Sequence, residues 1–316
     1  MNLLEIWDRF KKNGFARVHN IPTNDAIESF YIALLAFNSN RIDVALAFSQ
    51  KALSQEPCNI LYTQATSYLK KVLKNGKKNV YISPTGFAEF IRGGGNVPLY
   101  QAVAKMLRNI YQQYSNLSVL DIGVGDGLAL LPALTKNIRH VDVVEPSKAL
   151  LDNVRKEFSR LNISHEAFES TLQEFVKSSP KRSWDLIQST FCLQSIPPNE
   201  RGDLFKWLAE TGSRLIIIEF DVPEFPEQCS PDQVKYVTER YNQGLTEYLE
   251  NRELVAKEFL MPVMFGYFDQ DCARTNFEHS VQEWILQLRN SGYQTIECFE
   301  VYPYWWAPAV MIDAKL

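Results

Sequence analysis

The stretch Val119-Leu120-Asp121-Ile122-Gly123-Val124-Gly125-Asp126-Gly127-Leu128 decides the fold. An apolar run too short for a helix ends in an acid, and glycine then recurs at every second position. The run predicts a buried strand. The glycines let the backbone turn sharply and bring it close to a ligand before a following helix. A dinucleotide fingerprint, G-x-G-x-x-G, would need glycine where Leu128 stands. Here the pattern is D-x-G-x-G-x-G. An aspartate at the strand end repels a pyrophosphate and suits a cationic group such as an amino-acid ammonium.

From Ser118 onward, short apolar runs alternate with helical periodicity. Strands are expected at Ser118–Ile122, His140–Glu145, Ser164–Phe168, Trp184–Ser189, Arg214–Glu219, Thr295–Val301 and Pro308–Ala314. Helices fit between the first five, which predicts a parallel sheet covered on both faces. The second strand, Val141-Asp142-Val143-Val144-Glu145-Pro146, also ends in an acid. A carboxylate about 20 residues beyond a glycine loop can accept both hydroxyls of a ribose.

Together these segments resemble the class I S-adenosylmethionine-dependent methyltransferases. The glycine stretch is similar to motif I of that family, and Glu145 falls at its ribose acid. Trp184-Asp185-Leu186-Ile187-Gln188-Ser189-Thr190-Phe191-Cys192-Leu193-Gln194-Ser195-Ile196-Pro197 resembles the stretch after its fourth strand. Gln194 and Ser195 stand where the family often has two histidines. The resemblance implies an α/β fold: a seven-stranded, mostly parallel Rossmann-like sheet with helices on both faces and the last strand antiparallel, plus an N-terminal α-helical domain. It implies S-adenosyl-L-methionine as cofactor. Asp121, Gly123 and Gly125 would line the methionine portion and Glu145 the ribose, with Asp126, Gly127 and Pro146 also binding the cofactor. Glu169 and Ser170 would lie near the adenine. Thr190 and Phe191 would face the sulfonium. Arg92, beside the triplet Gly93-Gly94-Gly95, would pair with the cofactor carboxylate while the triplet's amides cradle it; a plain interhelical turn reads equally well there.

Methyl transfer is an in-line displacement, so the protein must position the acceptor, exclude water and take a proton where the acceptor carries one. Candidate groups are His279, Tyr100 and Glu219. His279 precedes an amphipathic helix, so a helix-start role competes with that of a base. Glu219 ends the fifth strand, at the cofactor edge, where it or Asp221 would orient a substrate amine or simply be solvated. Phe265-Gly266-Tyr267-Phe268 and Tyr302-Pro303-Tyr304-Trp305-Trp306 suit either a cation cage or core packing. No N-P-P-Y or D-P-P-Y follows the fourth strand, which counts against amide or adenine N-methylation.

The remainder divides into two parts. Residues 1–100 read as a helical cap. Its hairpin, with Ala33, Ala45, Ala52 and Pro57, resembles one tetratricopeptide unit; stacked repeats need about three. Residues 101–316 read as the methyltransferase-like domain, with an insertion at about 221–276 holding a helix from Pro231 to Phe259. The chain has 316 residues and a formal net charge of -4, which excludes an electrostatic grip on nucleic acid as the main source of affinity. Five scattered cysteines without C-x-x-C argue against a disulfide framework or a metal site and for the cytoplasm. No apolar run approaches membrane-spanning length. Aromatic residues reach 12%, favouring a small, partly apolar or aromatic substrate. The competing expectation is a catalytically inactive, methyltransferase-like interaction protein that binds a partner through its N-terminal helices.

Overall fold

The computed structural model describes residues 2–77, 84–178 and 182–316. The chain divides into two compact units, residues 1–97 with 225–273, and residues 98–224 with 274–316.

The first unit is helical. α1 (Leu3–Asn13) is capped by Asn2, α2 (Ala26–Asn38) by Asp25 and α4 (Ile60–Asn75) by Asn59; between the last two runs α3 (Ile42–Gln55). Each capping side chain accepts an amide hydrogen bond that the first helical turn leaves free. α2 is buried on every side, so it forms the centre of this unit rather than one face of a hairpin. α5 (Pro84–Ile91) and the start of α6 (Asn96–Tyr111) also belong here. So do α11 (Pro231–Thr246), α12 (Arg252–Val255), a π-helical turn at Ala256–Leu260 and α13 (Met261–Gly266).

The sequence reading counted residues 221–276 with the second part of the chain. Residues 225–273 instead pack with the N-terminal helices. Phe265 lies 4.7 Å from Phe37 and 5.0 Å from Tyr68 between ring centroids, and Tyr31 donates its hydroxyl hydrogen to the Cys229 carbonyl. Phe265 and Phe268 are core residues. The single helix expected from Pro231 to Phe259 is interrupted after Thr246. Tyr248 and Glu247 turn there onto the glycine triplet. A Cβ at Gly94, whose φ is +49°, would stand 2.8 Å from the Tyr248 ring, and Gly95 donates its N–H to Glu247 at 2.7 Å. Close approach within this unit therefore explains Gly94 and Gly95.

The second unit is a seven-stranded sheet in the order β3-β2-β1-β4-β5-β7-β6. Its strands are β1 (Leu117–Ile122), β2 (Ile138–Val144), β3 (His165–Phe168), β4 (Leu186–Thr190), β5 (Arg214–Phe220), β6 (Thr295–Tyr302) and β7 (Ala309–Lys315). β7 runs antiparallel between β5 and β6, and the other pairings are parallel. A bidentate pair fixes its register: Arg214 reaches Asp313 at 2.9 and 2.6 Å. β1 is buried along its whole length, as a central parallel strand must be. α8 (Lys148–Leu161), α9 (Leu172–Ser178), α10 (Pro198–Thr211) and α14 (Val281–Asn290) complete the layers. On one side Leu204, Phe205, Leu208, Trp284 and Leu288 pack on Leu120, Ile187 and Ile217. The helix after the glycine stretch, α7 (Leu130–Ala133), is only four residues long. The strand order reverses beside β1, which places a crevice at the carboxyl ends of β1 and β4.

Candidate functional site

The glycine loop is held from both sides. Gly123 donates to the Val144 carbonyl at 2.8 Å, with φ +70°. A Cβ there would lie 2.1 Å from the Cys192 sulfur, so the loop after β4 sits directly on this glycine. Gly125, φ +57°, has open space where its Cβ would be, and gives its amide to Glu145 at 3.0 Å. The other Glu145 oxygen accepts the Ser147 amide at 2.8 Å. Glu145 thereby braces the loop, and each oxygen keeps a lone pair for a further donor. A Cβ at Gly127 would strike Leu131.

Asp121 is buried beneath this loop. Gln188 on β4 donates to it at 2.8 Å, and Tyr111 on α6 donates to the Gln188 oxygen at 2.6 Å. The sequence reading missed both braces, although a glutamine inside the apolar β4 run was a visible signal. Burial first, and then the charge of Glu145, push the Asp121 carboxyl up to about 7 against the lowering effect of the Gln188 bond. Glu219, at the end of β5, is raised by burial to about 8, although the Gln194 amide and the Arg201 charge oppose the shift.

Both raised acids bear on stability. Between about pH 4 and the folded values, the native carboxyls hold protons that the unfolded chain has lost. Stability without ligand therefore declines as pH rises through about 7 for Asp121 and about 8 for Glu219. Asp121→Asn is expected to remove on the order of 3 kcal/mol of that decline. Urea melts from about pH 5 to about pH 8 test this; parallel curves for wild type and variant would refute it.

The remaining candidates fall into groups. Ser170 Oγ and Thr190 Oγ1 are buried without a hydrogen-bond partner among the described residues. Glu169 and Pro146 lie in the loops leaving β3 and β2. Phe191, directly after β4, holds φ +52°, a strained conformation for a bulky residue. Its ring stacks on Phe220 at 4.5 Å, Phe220 stacks on Tyr304 at 5.2 Å, and Tyr100 meets Phe191 edge-on at 6.0 Å. Tyr100 is half-buried, and burial first, then Asp126 and Glu219, raise the pKa of its phenol. Thus Tyr100, Asp126, Phe191 and Glu219 come together. Arg92 belongs to the first unit.

The Arg201 charge acts on both Glu219 and His279, and Glu278, which acts on Glu219, is the residue before His279. The His279 ring meets Trp284 edge-on at 5.9 Å, and its Nδ1 is 3.7 Å from Glu224. Burial, then the Arg201 charge, lower its pKa. Its carbonyl accepts the Val222 amide. Arg201 was not anticipated. It is fully buried, donates to the carbonyls of Ile196 at 2.8 Å and Phe277 at 2.7 Å, and lies 4.2 Å over the Trp284 ring. Trp306 donates to Glu278. Among the described residues, no group of three or more His, Cys, Asp or Glu side chains could hold a metal ion, and no helix is long and apolar enough to cross a membrane.

A sheet with its crevice at β1 and β4, a strained glycine loop and an acid at each of two adjacent strand ends define a class of protein. The chain carries a class I S-adenosylmethionine-dependent methyltransferase domain. Residues 119–212 match the family model described as "Methyltransferase domain". The matched segment holds the glycine loop, Glu145 and the stretch after β4. Among solved structures, the chain is similar to magnesium protoporphyrin IX methyltransferase from Synechocystis PCC 6803, crystallised with S-adenosylhomocysteine. Identity is 15% and TM-score 0.48, covering 75% of this chain and 96% of that one. It is also similar to mitomycin 7-O-methyltransferase, with 14% identity, TM-score 0.46 and coverage of 90% and 75%. A cyclopropane synthase from Mycobacterium tuberculosis gives 10% identity, TM-score 0.47 and coverage of 67% and 83%. No curated protein matches the sequence.

Proposed function

We infer that this enzyme moves a methyl group to a small, partly apolar or aromatic molecule, through a site built on the carboxyl edge of the second unit. The observation that carries the reading is the pair Asp121 and Glu145 around an open Gly125. Asp121 is a buried acid braced by Gln188 and suited to an ammonium. Glu145 is held by two backbone amides and has lone pairs left for two ribose hydroxyls. Open space beside Gly125 and the unpartnered hydroxyls of Ser170 and Thr190 support a ligand there.

In this reading Gly123, Gly125, Asp126 and Gly127 line the methionine portion, with Pro146 beside the ribose and Glu169 beside the adenine. Thr190 and Phe191 face the reacting centre. When bound, the cofactor supplies an electrophilic methyl on a sulfonium. Tyr100, Phe191 and Phe220 exclude water from that centre, and Glu219 is the group available to a proton. His279, whose buried Nε2 has no hydrogen-bond partner among the described residues, stays a second candidate for the proton.

Isothermal titration with S-adenosylhomocysteine tests the reading. Binding in the micromolar to sub-millimolar range is expected, about -8 to -4 kcal/mol. No heat and no thermal shift at millimolar ligand would remove it. The alternative, an inactive interaction protein, would show normal folding, no such binding and a co-purifying partner.

A further inference from the structure

We propose that the acceptor is an amine that enters as its ammonium, and that Glu219 is its charge partner and takes its proton. This rests on reading the carboxyl edge as the methyl-transfer site. Glu219 is 1% exposed at the end of β5, and one of its oxygens accepts the Gln194 amide at 3.1 Å. The groups acting on it or through it come from each element packed around it. They are Arg201 from α10, Glu278 from the segment before α14, Tyr100 from α6 and Cys192 from the loop after β4. Arg201 is the cation among them, and it gives its hydrogen bonds to the carbonyls of Ile196 and Phe277 while lying on Trp284. Asp126 adds a second acid facing Tyr100.

The aromatic residues decide between two ways of holding a cation. Phe220 stacks on Phe191 and on Tyr304. Phe220, stacked against both, has little face left to offer a cation, so the neighbouring carboxyl rather than this ring is the cation's partner. The rings form a dry wall beside a carboxyl, where a charge pair is strong because water is absent. An anionic acceptor would meet Asp126, Glu219 and Glu278 with like charge.

The chemistry balances. The ammonium displaces the Glu219 proton to solvent on binding, and the ionised carboxyl then takes one N–H proton from the amine. The freed nitrogen lone pair forms the N–C bond as the S–C bond breaks, and that bonding pair stays on sulfur. The product leaves as a methylated ammonium and Glu219 is left protonated, as it was before binding, so one proton is released per turnover.

The test uses the full-length protein saturated with S-adenosylhomocysteine and three probes: benzylamine, benzyl alcohol and phenylacetate. Benzylamine is expected to bind at least about tenfold tighter than benzyl alcohol, with phenylacetate weakest. Titrations near pH 7 in phosphate and in Tris should show about one proton released per benzylamine bound. Glu219→Gln should erase the preference for the amine. Should that variant fail to fold, the wild type suffices: benzylamine affinity rises about tenfold from about pH 6.5 to about pH 8. Equal affinity for benzylamine and benzyl alcohol, a flat pH profile or no benzylamine binding would each overturn the proposal. If S-adenosylhomocysteine itself does not bind, the underlying site reading fails instead.

Discussion

Replacing Glu145 by alanine is expected to weaken S-adenosylhomocysteine binding by on the order of 100-fold, about 3 kcal/mol. Two losses add. The ribose loses a charged acceptor, and the amides of Gly125 and Ser147 lose the carboxylate that holds the glycine loop in shape. Gln at this position keeps one acceptor oxygen for one of the two amides while its NH2 faces the other N–H, so Glu145→Gln should lose less than alanine, on the order of tenfold to thirtyfold. Calorimetric titration of the three proteins measures the series. An alanine variant that binds within threefold of wild type would mean that Glu145 neither touches the ligand nor is needed to hold the loop.

Replacing Arg201 by methionine is expected to cost about 3 kcal/mol of stability, roughly 10 °C in melting temperature. The guanidinium is buried, so its removal strands the carbonyls of Ile196 and Phe277 away from water. Methionine fills much of the space over Trp284, so the loss comes from unmet polar groups rather than from a cavity. Arg201→Lys keeps the charge and cannot span both carbonyls, so it should recover less than half. Thermal melts of both variants decide this. A methionine variant melting within about 2 °C of wild type would show that the stacking on Trp284 already satisfied the guanidinium.

The contrast between these two residues shows what a sequence discloses. Glu145 was legible because its role follows from local pattern: a strand end, at a set distance from a glycine turn. The seven strands were legible for the same reason, since apolar runs bounded by turn residues report burial directly. Arg201 sits in Asn199-Glu200-Arg201-Gly202-Asp203, which reads as a solvated helix start. Its burial is imposed by Phe277 and Trp284, far along the chain. The helices of residues 225–273 went to the wrong neighbours for a similar reason. Periodicity shows that a helix has an apolar face, not which surface covers it. Tyr111 and Gln188 became a brace for Asp121 only once α6 and β4 were brought together. The aromatic stretch before β7 was recognised as unusual, but whether rings offer their faces or consume them in stacking is a question of angles, which sequence does not carry.

The place of β7 has a bearing on the order of events during synthesis. β6 is made before β7, yet its recorded sheet partner is β7, lying between it and β5. While the ribosome still holds residues 309–315, β5 presents an open edge and β6 has nothing to join. The earlier strands can associate as they emerge, but the sheet closes only once residues 309–315 have followed them. A nascent chain stalled ahead of Ala309 would expose two unpaired strands, the form in which this enzyme most needs a chaperone.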